Sequence, residues 1–105
     1  MEISDLQRKV SDFVKENKLE TKVEIRILDL MSELGELSKE SLKSSDYGKE
    51  RFKTTDEWVN ELGDVIFSLM CVANNTEVDL EVALNKALNK YEKRYNGKGN
   101  ISSGK

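Results

Sequence analysis

Residues 20–44, ETKVEIRILDLMSELGELSKESLKS, carry the pattern that decides how this chain folds. Val23, Ile27, Leu30, Leu34 and Leu37 recur at spacings of four and three, the period of one helix face. No proline interrupts them, and none occurs in the 105 residues. Because Pro costs ~3 kcal/mol inside a helix, its absence leaves long helices open to the whole chain. β-Branched residues are scattered and never alternate as a half-buried strand requires. The segment therefore reads as an amphipathic helix from about Glu20 to Ser44, and the fold class as all-α.

The same period extends to both sides. A first helix is predicted from Ile3 to Asn17, with Leu6, Val10 and Phe13 on one face. After the polar loop SSDYGKERFKT a third begins, where Thr54-x-x-Glu57 reads as a capping box. Its seam is Trp58, Leu62, Val65, Leu69 and Val72, and it ends near Asn74. The fourth is capped by Asp79 and carries Leu80, Leu84, Ala87, Leu88, Tyr91 and Tyr95, with Gly97 as a stop signal. This predicts one domain over residues 1–97, a four-helix bundle-like architecture, and a mobile Gly/Ser-rich tail over 98–105.

Composition removes many chemistries. With no histidine, a Ser-His-Asp triad, a Cys-His pair and any His-containing zinc or di-iron site are excluded. Acid–base work falls to carboxylates, lysine, tyrosine or metal-activated water. The single cysteine, Cys71, sits in an apolar run and reads as a buried free thiol in a reduced compartment. Formal net charge is −3, and no basic block suggests a nucleic-acid polymer as partner. The opening MEISDLQRKV lacks an apolar core of signal-peptide type, and no stretch is apolar enough to span a bilayer. A soluble, cytoplasmic protein without a membrane partner is expected.

The acids carry the functional signal. Asp29, Glu33, Glu36 and Glu40 form one stripe on the second helix, one residue (~100° of rotation) from its apolar seam. Glu57, Glu61 and Asp64 repeat that offset on the third. If the two seams pack together, the stripes flank the contact and converge. Glu33-Leu34-Gly35-Glu36 and Glu61-Leu62-Gly63-Asp64 also share one local pattern, and a mid-helix Gly, unfavourable by ~1 kcal/mol, suggests close approach of a backbone or ligand. The plain alternative is a solvated Glu-rich face. Such faces usually carry opposite charges three or four residues apart, as Asp5 does with Arg8 and Lys9. Glu33, Glu61 and Asp64 have no such partner, and Glu36 has only Lys39. Unpaired, half-buried carboxylates repel one another, so a cation belongs between them. Carboxylates without His or Cys suit Mg²⁺ or Mn²⁺, and no EF-hand loop pattern argues for calcium. Hydrolysis of a phosphate ester or anhydride is the chemistry implied.

These residues resemble the MazG-type nucleotide pyrophosphohydrolases, part of the all-α superfamily that includes dimeric dUTPases. The family signature, ExxE, a spacer, then ExxD, reads here as Glu33 to Glu36, 24 intervening residues, then Glu61 to Asp64. DLQRKVSDFV is similar to the family's first helix, and DLEVALNKALNKYEKRY to its last. The resemblance implies Mg²⁺-dependent cleavage of a (deoxy)nucleoside triphosphate between the α and β phosphates, giving monophosphate and pyrophosphate. It implies Glu33, Glu36, Glu61 and Asp64 as the catalytic Mg²⁺ ligands, one glutamate, taken as Glu36, also activating water. Lys86, Asn89, Lys90, Lys93 and Arg94 become candidates for binding the phosphate chain, against the plain alternative of a solvated lysine face. Arg51 and Lys53 could reach phosphate only if their loop folds over the site. Trp58 could stack a base, but its place on the seam favours packing.

Two further readings stay open: a phosphoribosyl-ATP pyrophosphohydrolase, and a non-catalytic helical assembly module. One apolar seam per helix in so short a chain favours burial across subunits. A homodimer is expected, with a dimer of dimers as the larger option. Base and sugar preference, and any house-cleaning of non-canonical nucleotides, are not legible in the residues.

Overall fold

The computed structural model describes residues 1–98. It contains four helices and, among the described residues, no strand: α1 (Ile3–Glu16), α2 (Val23–Ser44), α3 (Asp56–Asn75) and α4 (Leu80–Lys98). The all-α class and the helix order are as predicted. Of the expected tail, Lys98 closes α4 and residues 99–105 lie outside the described residues.

Three boundaries differ. α2 starts at Val23, not Glu20, because Lys22 is extended (φ −74°, ψ 154°). Two side chains hold the strand-like stretch before it: Arg26 donates to the Leu19 carbonyl at 2.6 Å, and Asn75 to the Thr21 carbonyl at 2.8 Å. α3 is capped by Thr55 rather than Thr54. Thr55 is the last extended residue, and its Oγ1 accepts from the Trp58 N–H at 3.1 Å. α4 passes through Gly97, which does not stop it. Its predicted cap is in place, with Asp79 Oδ1 accepting from the Glu81 N–H at 2.8 Å.

α2 packs along α3, and α1 packs on α3 and on α4. Phe13 meets Phe67 edge to face at 6.1 Å, and Gly63, Ile66, Phe67 and Met70 line a groove with α1. At ~100° per residue, that face of α3 is diametrically opposite the one holding Glu61, Val65 and Ser68, which meets α2. A buried amide ties the layers together. Gln7 Nε2 donates to Asn74 Oδ1 (3.1 Å) and to the Val78 carbonyl (2.9 Å), while its Oε1 accepts from the Leu80 N–H (2.8 Å).

The core of the single chain is thin. Met70, Cys71 and Ala73 are its buried apolar residues. Cys71 is a free, buried thiol, as expected, and desolvation raises its pKa. The α2–α3 contact mixes polar and apolar groups. Arg26, Ser44 and Ser68 are buried, and Val23, Leu30, Leu37, Trp58, Val65 and Val72 of the predicted seams are half-buried together with Glu33 and Glu61, whereas Ile27, Leu34, Leu62 and Leu69 are exposed. Each predicted seam is thus split, one edge lying in the contact beside the acids and the other facing outward. Leu88, Tyr91 and Tyr95 on α4 are exposed as well. The Cα radius of gyration, 16.7 Å, exceeds the ~13 Å of a compact domain of this length. No helix among the described residues is long and apolar enough to cross a membrane.

Candidate metal centre

The α2–α3 contact brings the two acidic motifs face to face. Carboxylate oxygens of Glu33, from α2, and of Glu61 and Asp64, from α3, lie within 4.8 Å of one another. Each motif is helical, so its two acids sit one turn apart on one face, and the α2–α3 packing sets the distance between motifs. Glu33 and Glu61 are half-buried and Asp64 is exposed. Glu36, a turn beyond Glu33, is exposed and outside this group of three.

Electrostatics mark the site. The Glu61 carboxyl is held above its ordinary pKa, first by desolvation and then by the charges of Asp64, Glu33, Glu36 and Glu57. Every charge acting on it has its own sign. The ion pairs among the described residues lie elsewhere: Arg8 with Asp5 at 3.1 Å, and Arg26 with Asp29 at 3.8 Å. The α2 stripe therefore divides. Asp29 has its cation, while Glu33, one turn on, faces two more carboxylates. Three convergent oxygens of hard-ligand type, uncompensated by any side chain, fit a divalent cation that keeps water or phosphate as further ligands.

The two helical glycines are less constrained than their spacing suggested. A methyl at Gly35 or Gly63 would meet nothing within 4 Å among the described residues, so neither glycine is needed for a close contact within the chain. Trp58 is half-buried and packs edge to face on Phe52 at 4.9 Å, which draws the 44–54 loop onto the start of α3.

The basic candidates stand apart from the acids. Lys86, Asn89, Lys90 and Lys93 are exposed and Arg94 half-buried on α4, with the Lys90 ammonium 5.0 Å from the Tyr91 ring centre. Clefts along the distal half of α4 are lined by α4 residues alone. None of these cations offsets the charge around Glu61. Arg51 and Lys53 are exposed on their loop. Two polar residues of structural weight, Gln7 and Arg26, were not singled out by sequence. The i,i+3 spacing of Arg26 and Asp29 was the available signal for the second.

Comparison with known proteins agrees with this geometry. The family model of the MazG nucleotide pyrophosphohydrolase domain matches residues 21–97. The crystal structure of the Bacillus-conserved MazG protein, a nucleotide pyrophosphohydrolase, is similar with a TM-score of 0.74 and 29% identity, over 87% of this chain and 89% of that one. That of YPJD from Bacillus subtilis has a TM-score of 0.74 and 30% identity, over 90% and 96%. In sequence, YpjD of Bacillus subtilis strain 168 is 35% identical over 68 residues, 62% of this chain. The match spans 60% of that curated relative's length.

Proposed function

The chain belongs to the MazG nucleotide pyrophosphohydrolase family, and from that premise we propose that it hydrolyses the α–β phosphoanhydride of (deoxy)nucleoside triphosphates in a Mg²⁺-dependent reaction. The observation that carries this reading is the set of three carboxylate oxygens within 4.8 Å of one another with no cation among the side chains around them. Glu33, Glu61 and Asp64, with Glu36 at the rim, hold the metal. When bound, Mg²⁺ neutralises phosphate charge and makes an attacking water more acidic, with Mn²⁺ as an alternative ion. Water adds to the α-phosphorus, the bond to the bridging oxygen breaks, and monophosphate, pyrophosphate and one proton result. Glu36, exposed beside the group, orients the water and accepts that proton.

The phosphate chain needs cations that one chain does not bring to the acids. We propose that a second copy supplies them from its α4, through Lys86, Lys90, Lys93 and Arg94, with Asn89 as a neutral hydrogen-bond donor. Two features support this: that helix's exposed Leu88, Tyr91 and Tyr95, and the exposed flank of Ile27, Leu34, Leu62 and Leu69. A homodimer is the smallest assembly that covers these faces, and a dimer of dimers the next. The substrate is a free nucleotide in the cytoplasm, with clearance of non-canonical nucleotides as the role. Neither a nucleic-acid polymer nor a membrane is a partner.

The test is a turnover panel of canonical, deoxy- and modified nucleoside triphosphates, with Mg²⁺ or EDTA, beside Glu36→Ala. Metal-dependent release of pyrophosphate and monophosphate, lost in the variant, is expected. Release of orthophosphate instead, or no turnover by folded protein with Mg²⁺, overturns the assignment.

A further inference from the structure

A second polar cleft lies two turns down α2 from the acids. It has a volume of about 160 Å³ and is lined by Ser11 and Lys15 of α1, Glu20 of the connection, Arg26 of α2, and Cys71 and Asn75 of α3, among others. That is room for several waters at ~30 Å³ each. Arg26 is the unusual member, because its side chain is only 10% exposed. A guanidinium carries five N–H donors. One of them reaches the Leu19 carbonyl, and the Asp29 carboxylate, 3.8 Å from the nearest guanidinium nitrogen, is beyond hydrogen-bond range. The other N–H groups meet no protein acceptor among the described residues. They are not sealed in either, since among the described residues the one buried side-chain polar atom without a partner is Ser44 Oγ, at the other end of α2. They open onto the cleft.

A buried cation with idle donors is costly unless something accepts from them. We infer that the Arg26 cleft binds a small tetrahedral oxyanion of the phosphate class. The guanidinium fork suits two oxygens of such an anion, the Lys15 ammonium adds a second positive charge, and the Ser11 hydroxyl a further donor. Glu20 lines the same cleft and Asp29 lies 3.8 Å from Arg26, so affinity is set by the balance of two cations against two acids. The cleft is too small for a nucleoside with its phosphates, which makes the free ion the occupant rather than a nucleotide. Seven residues separate Arg26 from Glu33, about 10 Å along the helix, so this site is distinct from the acidic centre.

Calorimetric titration of inorganic phosphate into the full chain in EDTA tests this without any turnover. One saturable site is expected, weakened tenfold or more by Arg26→Met, which keeps the apolar stem. Should that variant unfold, exposed Lys15 and Glu20 carry the test: Lys15→Ala weakens binding several-fold and Glu20→Gln tightens it several-fold. Glu33→Gln leaves it unchanged, and adenosine monophosphate binds more weakly than phosphate. No saturable binding, equal affinity in the Lys15 and Glu20 variants, loss of binding in Glu33→Gln, or tighter binding of the monophosphate each overturns the assignment. Because metal and substrate are absent, failure here is separate from failure of the hydrolase reading.

Discussion

Two polar clusters share α3 and are built on opposite principles. At the end where α3 meets α4, Gln7 gives and receives hydrogen bonds on both sides of its amide, and Asn74 Nδ2 returns one to the Gln7 carbonyl at 3.0 Å. Polar groups there are matched to one another by the fold. Near the middle of α2, Glu33, Glu61 and Asp64 are matched to nothing. Burying a polar group is tolerated when its partners are built in, and crowding like charges is tolerated when a partner arrives from solution. The first cluster is therefore a clasp and the second a receptor.

Asp64→Asn should separate the two most sharply. It removes one convergent charge and keeps the size of the side chain. We expect metal-dependent turnover to fall a hundredfold or more, the scale of losing one electrostatic partner of a transition state. The metal-free protein should melt no lower than the parent, because repulsion is relieved. Added Mg²⁺ should raise its Tm less than it raises the parent's. A variant that melts several degrees lower in EDTA would show that Asp64 is a structural group, and the contrast between the clusters would collapse.

Gln7→Leu attacks the clasp. Leu80 N–H, Asn74 Oδ1 and the Val78 carbonyl lose their partner together. Leaving buried groups unpaired costs about 1–3 kcal/mol. In a chain of this size that is a fall in Tm of roughly 5–15 °C. Activity per folded molecule should hold near the parent value, since Asn74 lies ten residues, about 15 Å along α3, from Asp64. Equal loss of activity and stability would mean that the α1–α4 junction also shapes the acidic centre.

Much of this was legible in the sequence, and what was not has a physical reason. Helix number and order followed from a 3.6-residue period free of proline. The pairing of Glu33 with Glu61 and Asp64 followed from their lack of oppositely charged neighbours. The predicted seams pack together only in part: Val23, Leu30, Leu37, Trp58, Val65 and Val72 are half-buried. Arg26, Glu33, Glu61 and Ser68 share that contact, and Ile27, Leu34, Leu62 and Leu69 look outward. Periodicity reports where a helix is apolar, and cannot report which stripe a single chain buries when another stripe is left over. The Thr55 cap was missed for a smaller reason: two adjacent threonines compete, and the backbone of the second is the extended one.

The smallest expected effect is on pH dependence, where two acids differ in sign. The Asp5 carboxyl is held below its usual pKa by the Glu2 N–H it accepts and by Arg8. Its stabilising contribution is present above the unfolded-state value and lost as pH falls through the lowered one. Glu61 is held above its usual value, so between the unfolded and folded values the folded chain binds more protons than the unfolded chain. Stability then declines as pH rises through that window, the slope following the difference in bound protons. Both groups are solvent-accessible, which keeps the amplitudes small. Thermal melts in EDTA from pH 4 to 8 should show the decline above the ordinary carboxylate range, and Glu61→Gln should remove it while leaving the acid-side limb set by Asp5. Saturating Mg²⁺ should also abolish it, because a cation among the acids favours the ionised form. A decline that persists in Glu61→Gln, or that Mg²⁺ leaves untouched, would mean that crowding at the acidic centre does not govern the stability of the metal-free chain.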